Sequence, residues 1–335
     1  MARSPKIGLA LSGGAARGMA HIGVLKALEE ESIPIDMISG TSAGALAGAC
    51  YAKEMKAAIL EEIMLGLDWR KLAGLIDLNL ILLWKGFVQG QKAKSFLSSI
   101  IGNARFEDLE IPLSVVATDV QSMEEIVLSE GSVVEAVRAS ISMPMIFTPV
   151  KWGGRFLIDG GAVNPIPVSV VRNMGAEIVI AVNTVGIAQH KRRRQSAKEV
   201  KDKPASYPES TRLAIVKRRL NSLIRGNKDR LKIFDELSDA ARTRIYTGNK
   251  KIDPQTPNIF EVMMQVFNAM QYEKIRLAIK SADIVITPDV SSIGMFAFYK
   301  ADEAIAQGYK ATKKILPKLQ ELIHCPWVVP MLKSP

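Results

Sequence analysis

Short apolar runs and glycine-rich turns alternate at the start of the chain. The run Ile7–Leu11 predicts a buried strand, and the residues Ala20–Glu31 that follow its glycine-rich turn predict a helix. A second run, Ile35–Ser39, predicts another strand, which a second glycine-rich turn joins to a helix over Ala43–Ala52. A repeated order of strand, turn and helix is typical of a parallel sheet covered by helices.

The same pattern continues further along the chain. Five more apolar runs predict strands: Leu113–Thr118, Glu125–Leu128, Arg155–Ile158, Ile178–Val182 and Ile284–Thr287. A helix over Ala301–Ile315 is expected after the last of them. Because right-handed crossovers place the ends of parallel strands at one edge of a sheet, we expect the turns after these strands to share that edge.

Two segments depart from this pattern. Leu72–Val88 is apolar and irregular, with Trp84 near its centre, and it fits either a segment at an interface or a buried helix over the sheet edge. The stretch His190–Lys251 is basic and opens with Lys191–Arg194. Within it, apolar residues recur at helical spacing among Lys and Arg residues, which predicts a basic amphipathic helix.

The charge of the chain is concentrated in that second segment. The whole chain of 335 residues has a net charge of +10, whereas residues 190–251 hold 19 basic and 7 acidic residues, a net charge of +12. The remaining 25 basic and 27 acidic residues give −2. The segment therefore suits either contact with anionic lipid headgroups or a solvated, partly disordered insertion. Its few aromatic residues are not typical of a nucleic-acid-binding surface.

Composition narrows the class of protein. Hydrophobic residues make up 48% of the chain, and it is long enough for one large domain or two modest ones. Two cysteines exclude a disulfide framework and favour a reducing compartment. No uninterrupted apolar stretch of about 18 residues predicts a membrane span, and no signal peptide is expected at the N-terminus. We expect a cytoplasmic protein, with a peripheral position on the inner membrane face as the alternative.

The pentapeptide Gly40–Gly44 carries the clearest chemical signal. Its pattern Gly-x-Ser-x-Gly fits a nucleophile elbow, in which a sharp turn from strand to helix exposes the hydroxyl of Ser42. The alternative is a structural turn with a capping serine. The turn Gly13–Gly18 fits neither a phosphate-binding P-loop nor a dinucleotide fingerprint, because the required residues do not follow its glycines. It can supply backbone N–H groups to an oxyanion, or it can be a tight turn alone.

The general base for Ser42 stays open at this point. The chain has three histidines: His21 lies within the first predicted helix, and His190 and His324 do not lie in loops after strands. Asp119 and Asp159 each follow an apolar run, so both are candidates for a strand end at the functional edge.

Four ordered motifs resemble those of the patatin-like phospholipases. They are Leu11–Gly18, Gly40–Gly44, Ala139–Pro144 and Asp159–Gly161. The resemblance covers about residues 6 to 186, with Asp283–Pro288 and the following helix similar to the C-terminal end of a bacterial member. One departure is Ala15, where many members have a third glycine.

The resemblance implies a fold and a set of site residues. The fold is a three-layer α/β/α arrangement with a mostly parallel central sheet. Ser42 would be the nucleophile and Asp159 the base, with Gly160 and Gly161 supporting the dyad and Gly40 and Gly44 forming the elbow. The oxyanion hole would come from the loop Gly13, Gly14, Ala15, Ala16, Arg17 and Gly18. Arg17 has two interpretations: it orients a phosphate or the loop itself, or it pairs with a carboxylate. No metal and no organic cofactor is implied.

The resemblance also implies a function and a division of the chain. The expected activity is hydrolysis of acyl esters of phospholipids or lysophospholipids through an acyl-enzyme. For such an enzyme, Leu72–Val88 would be a lid or the lip of an acyl-chain groove, with a buried helix over the sheet edge as the alternative. The alternatives to this activity are a carboxylesterase or thioesterase acting on soluble esters and a non-enzymatic lipid-binding regulator. We expect a catalytic core at 6–186, a basic insertion at 187–255, helices and a last strand completing the core at 256–316, and a tail at 317–335.

Overall fold

The computed structural model of the protein describes residues 4–53, 56–66, 91–144, 146–185 and 259–324. The apolar segment Leu72–Val88 and the basic segment at 190–251 lie outside these residues, as does His190. What the sequence predicts for them stays a prediction. Among the described helices, none is both long and apolar enough to cross a membrane.

An eight-stranded mixed sheet forms the centre of the described residues. Its strands are β1 (Ile7–Leu11), β2 (Met37–Thr41), β3 (Leu113–Asp119), β4 (Glu125–Leu128), β5 (Val150–Trp152), β6 (Arg155–Asp159), β7 (Ile178–Val182) and β8 (Ile284–Ile286). Neighbours in the series β5-β6-β3-β2-β1-β7-β8 are hydrogen-bonded to each other, and β4 also pairs with β3. The five strands from β3 to β8 in this order are parallel, whereas β4, β5 and β6 pair in the antiparallel sense.

Helices cover both faces of this sheet. They are α1 (Ala20–Glu30), α2 (Ala43–Ala52), α3 (Ala57–Leu65), α4 (Gln91–Ile101), α5 (Val133–Ser140), α6 (Val168–Asn173), α7 (Ile259–Ser281) and α8 (Ala301–His324). In β1, Leu9 and Leu11 pack with α1, α2 and α8 in one buried cluster. Ala10 points to the opposite face and packs with residues of α6 and α7 in another. The predicted three-layer α/β/α fold with a mostly parallel sheet is therefore confirmed.

Most predicted strands lie within two residues of their predicted positions. Strands β1, β4 and β7 have the predicted bounds, and β3 and β6 are each one residue longer. Strand β2 begins at Met37 rather than Ile35, because the carboxylate of Asp36 accepts the N–H of Ile7 just before the pairing with β1 starts.

The predicted end of the last helix is wrong. Helix α8 continues through Pro317 to His324, into the first residues of the predicted tail. Leu316, Leu319 and Leu322 are buried in the core, so packing of these side chains compensates for the backbone hydrogen bond that proline cannot donate.

Candidate active site

The site begins where two strands meet end to end along one edge of β3. Strand β2 runs parallel to β3 and ends with Thr41 opposite Val116. Strand β6 runs antiparallel to β3 and ends with Asp159 opposite Ala117. Strand β4 pairs with the same part of β3, so it occupies the other edge and leaves β2 and β6 to share this one. The segments that follow β2 and β6 therefore leave the sheet at the same place.

This arrangement corrects one expectation. Ser42 does follow a parallel strand at the carboxyl edge of the sheet. Asp159 does not, because β6 is antiparallel and brings its end to the site from the opposite direction.

Ser42 lies in a strained turn between β2 and α2. Its φ of 54° and ψ of −119° are backbone angles that residues with a side chain adopt rarely. The glycines on either side allow this turn to pack tightly. A Cβ on Gly40 would lie 2.5 Å from the carbonyl oxygen of Gly44, and one on Gly44 would lie 2.3 Å from that of Leu11. The geometry is that of the predicted nucleophile elbow.

Asp159 is held directly beside this serine. The hydroxyl of Ser42 donates to Oδ2 of Asp159 at 2.6 Å, and the N–H of Gly161 donates to Oδ1 at 2.7 Å. The backbone of Asp159 is fixed as well, since its N–H donates to the carbonyl of Ser142 and its carbonyl accepts from the hydroxyl of Thr118. Gly160 is required here, because a Cβ would lie 2.3 Å from the carbonyl oxygen of Val116.

Burial makes the carboxylate of Asp159 more basic than a free aspartate. The residue is 2% exposed. Loss of solvation raises the pKa of Asp159 from 3.8 to about 6, although the hydrogen bonds from Ser42 and Gly161 act in the opposite direction. At neutral pH the carboxylate is therefore ionised and within hydrogen-bonding distance of a hydroxyl proton.

The other candidate bases are held elsewhere. His21 is completely buried, and its Nε2 lies 2.8 Å from the carbonyl oxygen of Ser12. Burial lowers the pKa of His21 to about 4, so it is neutral at pH 7 and positions the loop after β1. The carboxylate of Asp119 pairs with Arg155 at 3.2 Å and accepts the N–H of Gln121. His324 is the last residue of α8.

The glycine-rich loop lies against the same site. Gly14 has φ 152° and Ala15 has φ 50°, so the alanine occupies a left-handed conformation that glycine adopts more easily. Three of the six predicted oxyanion donors are already used: the N–H groups of Gly13, Ala16 and Arg17 donate to the carbonyls of Pro165, Met295 and Gly14. The N–H groups of Gly14 and Ala15 donate to no described residue.

A hydroxyl network holds this loop in place. The hydroxyl of Thr184 donates to the carbonyl of Gly13 at 2.6 Å, and the hydroxyl of Ser12 accepts the N–H of Thr184 at 2.9 Å. Arg17 contributes from the other side, since its Nε donates to the carbonyl of Ile293 at 2.8 Å. Of the two interpretations of Arg17, orientation of the loop is the one that this contact supports.

Ser140 is a site residue to which the sequence assigns no role of its own. Its hydroxyl accepts the N–H of Ser42 at 2.8 Å and donates to the carbonyl of Val116 at 2.6 Å. Ser140 thus fills the gap between the ends of β2 and β6. The helix that carries it, α5, could have been found from the spacing of Ser132 and Glu135, because Ser132 caps the helix by accepting the N–H of Glu135.

Two cavities of different size and character open at Ser42. The smaller, of about 30 Å³, has room for one water molecule and is lined by Ser42, Asp159, the glycine-rich loop and residues of α7 that include Gln271. The larger, of about 370 Å³, is lined almost entirely by apolar side chains of α2, α3, α4 and the segment around Phe147. No group of three or more potential metal-binding side chains occurs in the described part of the chain.

The fold and the site define an α/β/α protein with a nucleophile elbow, and the serine of this elbow donates a hydrogen bond to an aspartate. Residues 9–172 match the family model described as patatin-like phospholipase. This part of the chain therefore belongs to the patatin-like phospholipase family, as its motifs predict.

Relatives of known sequence agree with this assignment. An uncharacterized NTE family protein of Mycobacterium tuberculosis is 35% identical over 186 residues, which cover 55% of this chain and 50% of that protein. Patatin-like phospholipase domain-containing protein 6 of Homo sapiens is 35% identical over 184 residues, or 53% of this chain and 13% of that protein. The aligned region thus spans about half the length of the mycobacterial relative. The crystal structure of VipD from Legionella pneumophila has a TM-score of 0.37 and 16% identity over 96% of this chain and 80% of that one.

Proposed function

We propose that this protein is a serine acyl hydrolase that cleaves acyl esters of phospholipids or lysophospholipids with Ser42 as nucleophile and Asp159 as base. The observation that carries the proposal is the 2.6 Å hydrogen bond between Ser42 and Asp159 at the junction of the two cavities. Membership of the patatin-like phospholipase family supports the class of reaction.

In the first half of the reaction, Oδ2 of Asp159 accepts the proton of Ser42 as Oγ attacks the ester carbonyl. The negative charge moves to the carbonyl oxygen, where the N–H groups of Gly14 and Ala15 are the donors best placed to receive it. When the intermediate collapses, Asp159 returns the proton to the leaving alcohol, and the acyl group remains on Ser42.

In the second half, water takes the place of the alcohol. The small cavity beside Ser42 and Asp159 has room for one water molecule. Asp159 accepts a proton from that water as its oxygen attacks the acyl carbon, and it then returns the proton to Oγ of Ser42. An aspartate with a pKa of about 6 is a stronger base than one with the ordinary value, yet it is ionised at pH 7.

The apolar cavity favours lipid over soluble esters as substrates. Its volume of about 370 Å³ and its apolar lining suit a long acyl chain, whereas a short ester would leave most of this surface without contacts. The dyad next to it favours an enzyme over a non-enzymatic lipid-binding regulator.

Labelling with a fluorophosphonate probe tests the proposal. We expect one adduct, located on Ser42 by mass spectrometry, and no adduct in Ser42→Ala. Hydrolysis of long-chain lysophospholipid should be lost in Ser42→Ala and Asp159→Asn but retained in Asp119→Asn, which changes the rival carboxylate. Near-normal turnover by Asp159→Asn would refute the dyad. A clear preference for short esters, with no rise in rate above the micelle threshold, would favour the soluble-ester alternative.

A further inference from the structure

Helix α2 lines the large cavity with unusually small side chains. It begins directly after Ser42, and its residues Ala43, Leu46, Ala47 and Cys50 face the cavity at the spacing of one helix face. The opposite side of the helix packs closely on the sheet, since a Cβ on Gly48 would lie 2.9 Å from Ile38. Every residue of α2 from Ala43 to Ala52 except Tyr51 is apolar or small, which is typical of a helix that is enclosed on all sides.

The cavity becomes more enclosed along this helix. Ala43 and Leu46, in the first turn, are partly exposed, whereas Ala47 is 8% exposed and Cys50 is 1% exposed. Leu60 of α3 and Leu97 of α4 also line the cavity, and both are buried. The part of the lining that α2 supplies therefore extends from Ser42 to Cys50 and becomes more deeply buried in that direction.

From these observations we infer that the cavity-facing side of α2 limits the length of the acyl chain that the cavity accepts. The side chains at positions 47 and 50 set the longest chain that fits. This inference rests on the proposed function, because it takes an acyl group on Ser42 as the start of the measured distance.

The helix geometry gives the scale of this measurement. At a rise of 1.5 Å per residue, Ala47 lies about 7.5 Å and Cys50 about 12 Å along the axis from Ser42. With C–C bonds of about 1.5 Å at tetrahedral angles, an extended chain advances roughly 1.3 Å per carbon, so these distances take about six and about nine carbons.

Cys50 serves in this arrangement as an apolar wall and not as a second nucleophile. Burial raises the pKa of its thiol to about 12, so the thiol stays protonated at neutral pH. The sulfur of Cys50 therefore does not compete with Ser42 for the acyl group.

Substitutions that change the bulk at these positions test the inference. In Ala47→Leu, we expect the ratio of kcat/KM for octanoyl to butanoyl p-nitrophenyl ester to fall at least about tenfold, because an octanoyl chain extends past position 47 and a butanoyl chain does not. Cys50→Leu should lower the ratio of kcat/KM for nonanoyl to hexanoyl ester, whereas its matched control Cys50→Ala should not lower it. Met64→Ala, which enlarges the cavity at α3, should shift the optimum to longer chains.

A binding experiment separates this inference from the proposed function. The same substitutions are made in Ser42→Ala, and displacement of a fluorescent fatty acid by butanoic, octanoic and dodecanoic acid is measured. We expect the same order of chain-length limits as in hydrolysis. Unchanged profiles in Ala47→Leu and Cys50→Leu would overturn the inference while leaving the hydrolase intact. If wild type hydrolyses no ester, the proposed function fails, but the limits in fatty-acid binding still decide whether α2 measures the chain.

Discussion

Asp159 is ionised at neutral pH although it is buried, and its carboxylate accepts hydrogen bonds from Ser42 and Gly161. Its pKa of about 6 in the folded protein lies above its ordinary value of 3.8. Between these two values the folded protein binds more protons than the unfolded chain, so the free energy of unfolding falls as the pH rises through this range. Above pH 6 the ionised carboxylate destabilises the fold, whereas below about pH 4 this penalty is absent.

Replacing this charge is expected to stabilise the protein. Asp159→Asn removes the buried charge, so at pH 7.5 its free energy of unfolding should exceed that of wild type by up to about 3 kcal/mol, which corresponds to a shift of about two pKa units. The advantage should disappear near pH 4. Urea unfolding of both proteins across this range measures it, with Asp119→Asn as the control for loss of a carboxylate. A variant less stable than wild type at pH 7.5 would contradict this account.

At the residue scale, the sequence locates the proposed dyad, Ser42 and Asp159, better than it locates the residues that hold the dyad in place. Ser42 and Asp159 lie in short motifs, and the glycines beside them are required by close backbone contacts. The residues that hold the site in place are harder to find, because they are distant in sequence from what they contact. Ser140 is 98 residues from Ser42, and Thr184 is 171 residues from Gly13. Serine and threonine are common in any sequence, so only the folded chain shows which of them receive a backbone N–H.

At the element scale, the end-to-end meeting of β2 and β6 leaves the carbonyl of Val116 on β3 and the N–H of Ser42 after β2 without a partner in a neighbouring strand. Ser140 supplies the missing partners, since it donates to the carbonyl of Val116 and accepts the N–H of Ser42. The Ser140 hydroxyl thus bridges the gap between the two strands, and it also fixes the backbone of the elbow.

Two buried serines provide a matched test of this role. Ser140→Ala leaves two buried backbone groups without partners, so we expect it to lower the free energy of unfolding by about 2–4 kcal/mol. It should also lower kcat by about tenfold to hundredfold through misplacement of Ser42. Ser39→Ala is the control: the Ser39 hydroxyl is buried and makes no hydrogen bond within the described residues, so its removal should be neutral or stabilising. Equal effects of the two changes on stability and kcat would refute the role of Ser140.

The direction of a strand is harder to predict than its position. The run Arg155–Ile158 marks β6 within one residue, but the apolar pattern is the same for a parallel and an antiparallel strand. Its direction depends on β5, a short neighbour that the pattern does not predict and that returns to it through the turn at Gly153 and Gly154. The end of α8 is hard to predict for a similar reason. Helices commonly end before a proline, but this rule takes no account of the packing of residues after Pro317.

At the scale of the whole molecule, charge and chemistry occupy different parts of the sequence. Asp159 and Arg17 are the charged residues that line the described cavities, and their charges are of opposite sign, whereas residues 190–251 carry a net charge of +12. We propose that this segment brings the protein to anionic lipid surfaces, as the chemistry of its proposed substrate would require.

Binding to vesicles tests this proposal. Exchanging Lys191–Arg194 for four glutamines removes four positive charges, each worth about 1 kcal/mol near an anionic surface. We expect a clear loss of sedimentation with phosphatidylserine vesicles at low salt, and a steep decline of wild-type binding as salt is raised. Zwitterionic phosphatidylcholine vesicles are the control. Salt-insensitive binding that is unchanged in the glutamine variant would refute an electrostatic contact.

Because β2 and β6 meet on one edge of β3, the site can form only after β6 has paired with β3. Ser42 and Asp159 are 117 residues apart, so their contact forms only after a long loop has closed and β6 has found its register on β3. A slip of one residue would turn Asp159 to the other face of the sheet. Reactivity of Ser42 toward a fluorophosphonate therefore reports the arrival of β6, and its recovery during refolding should follow the recovery of secondary structure rather than coincide with it.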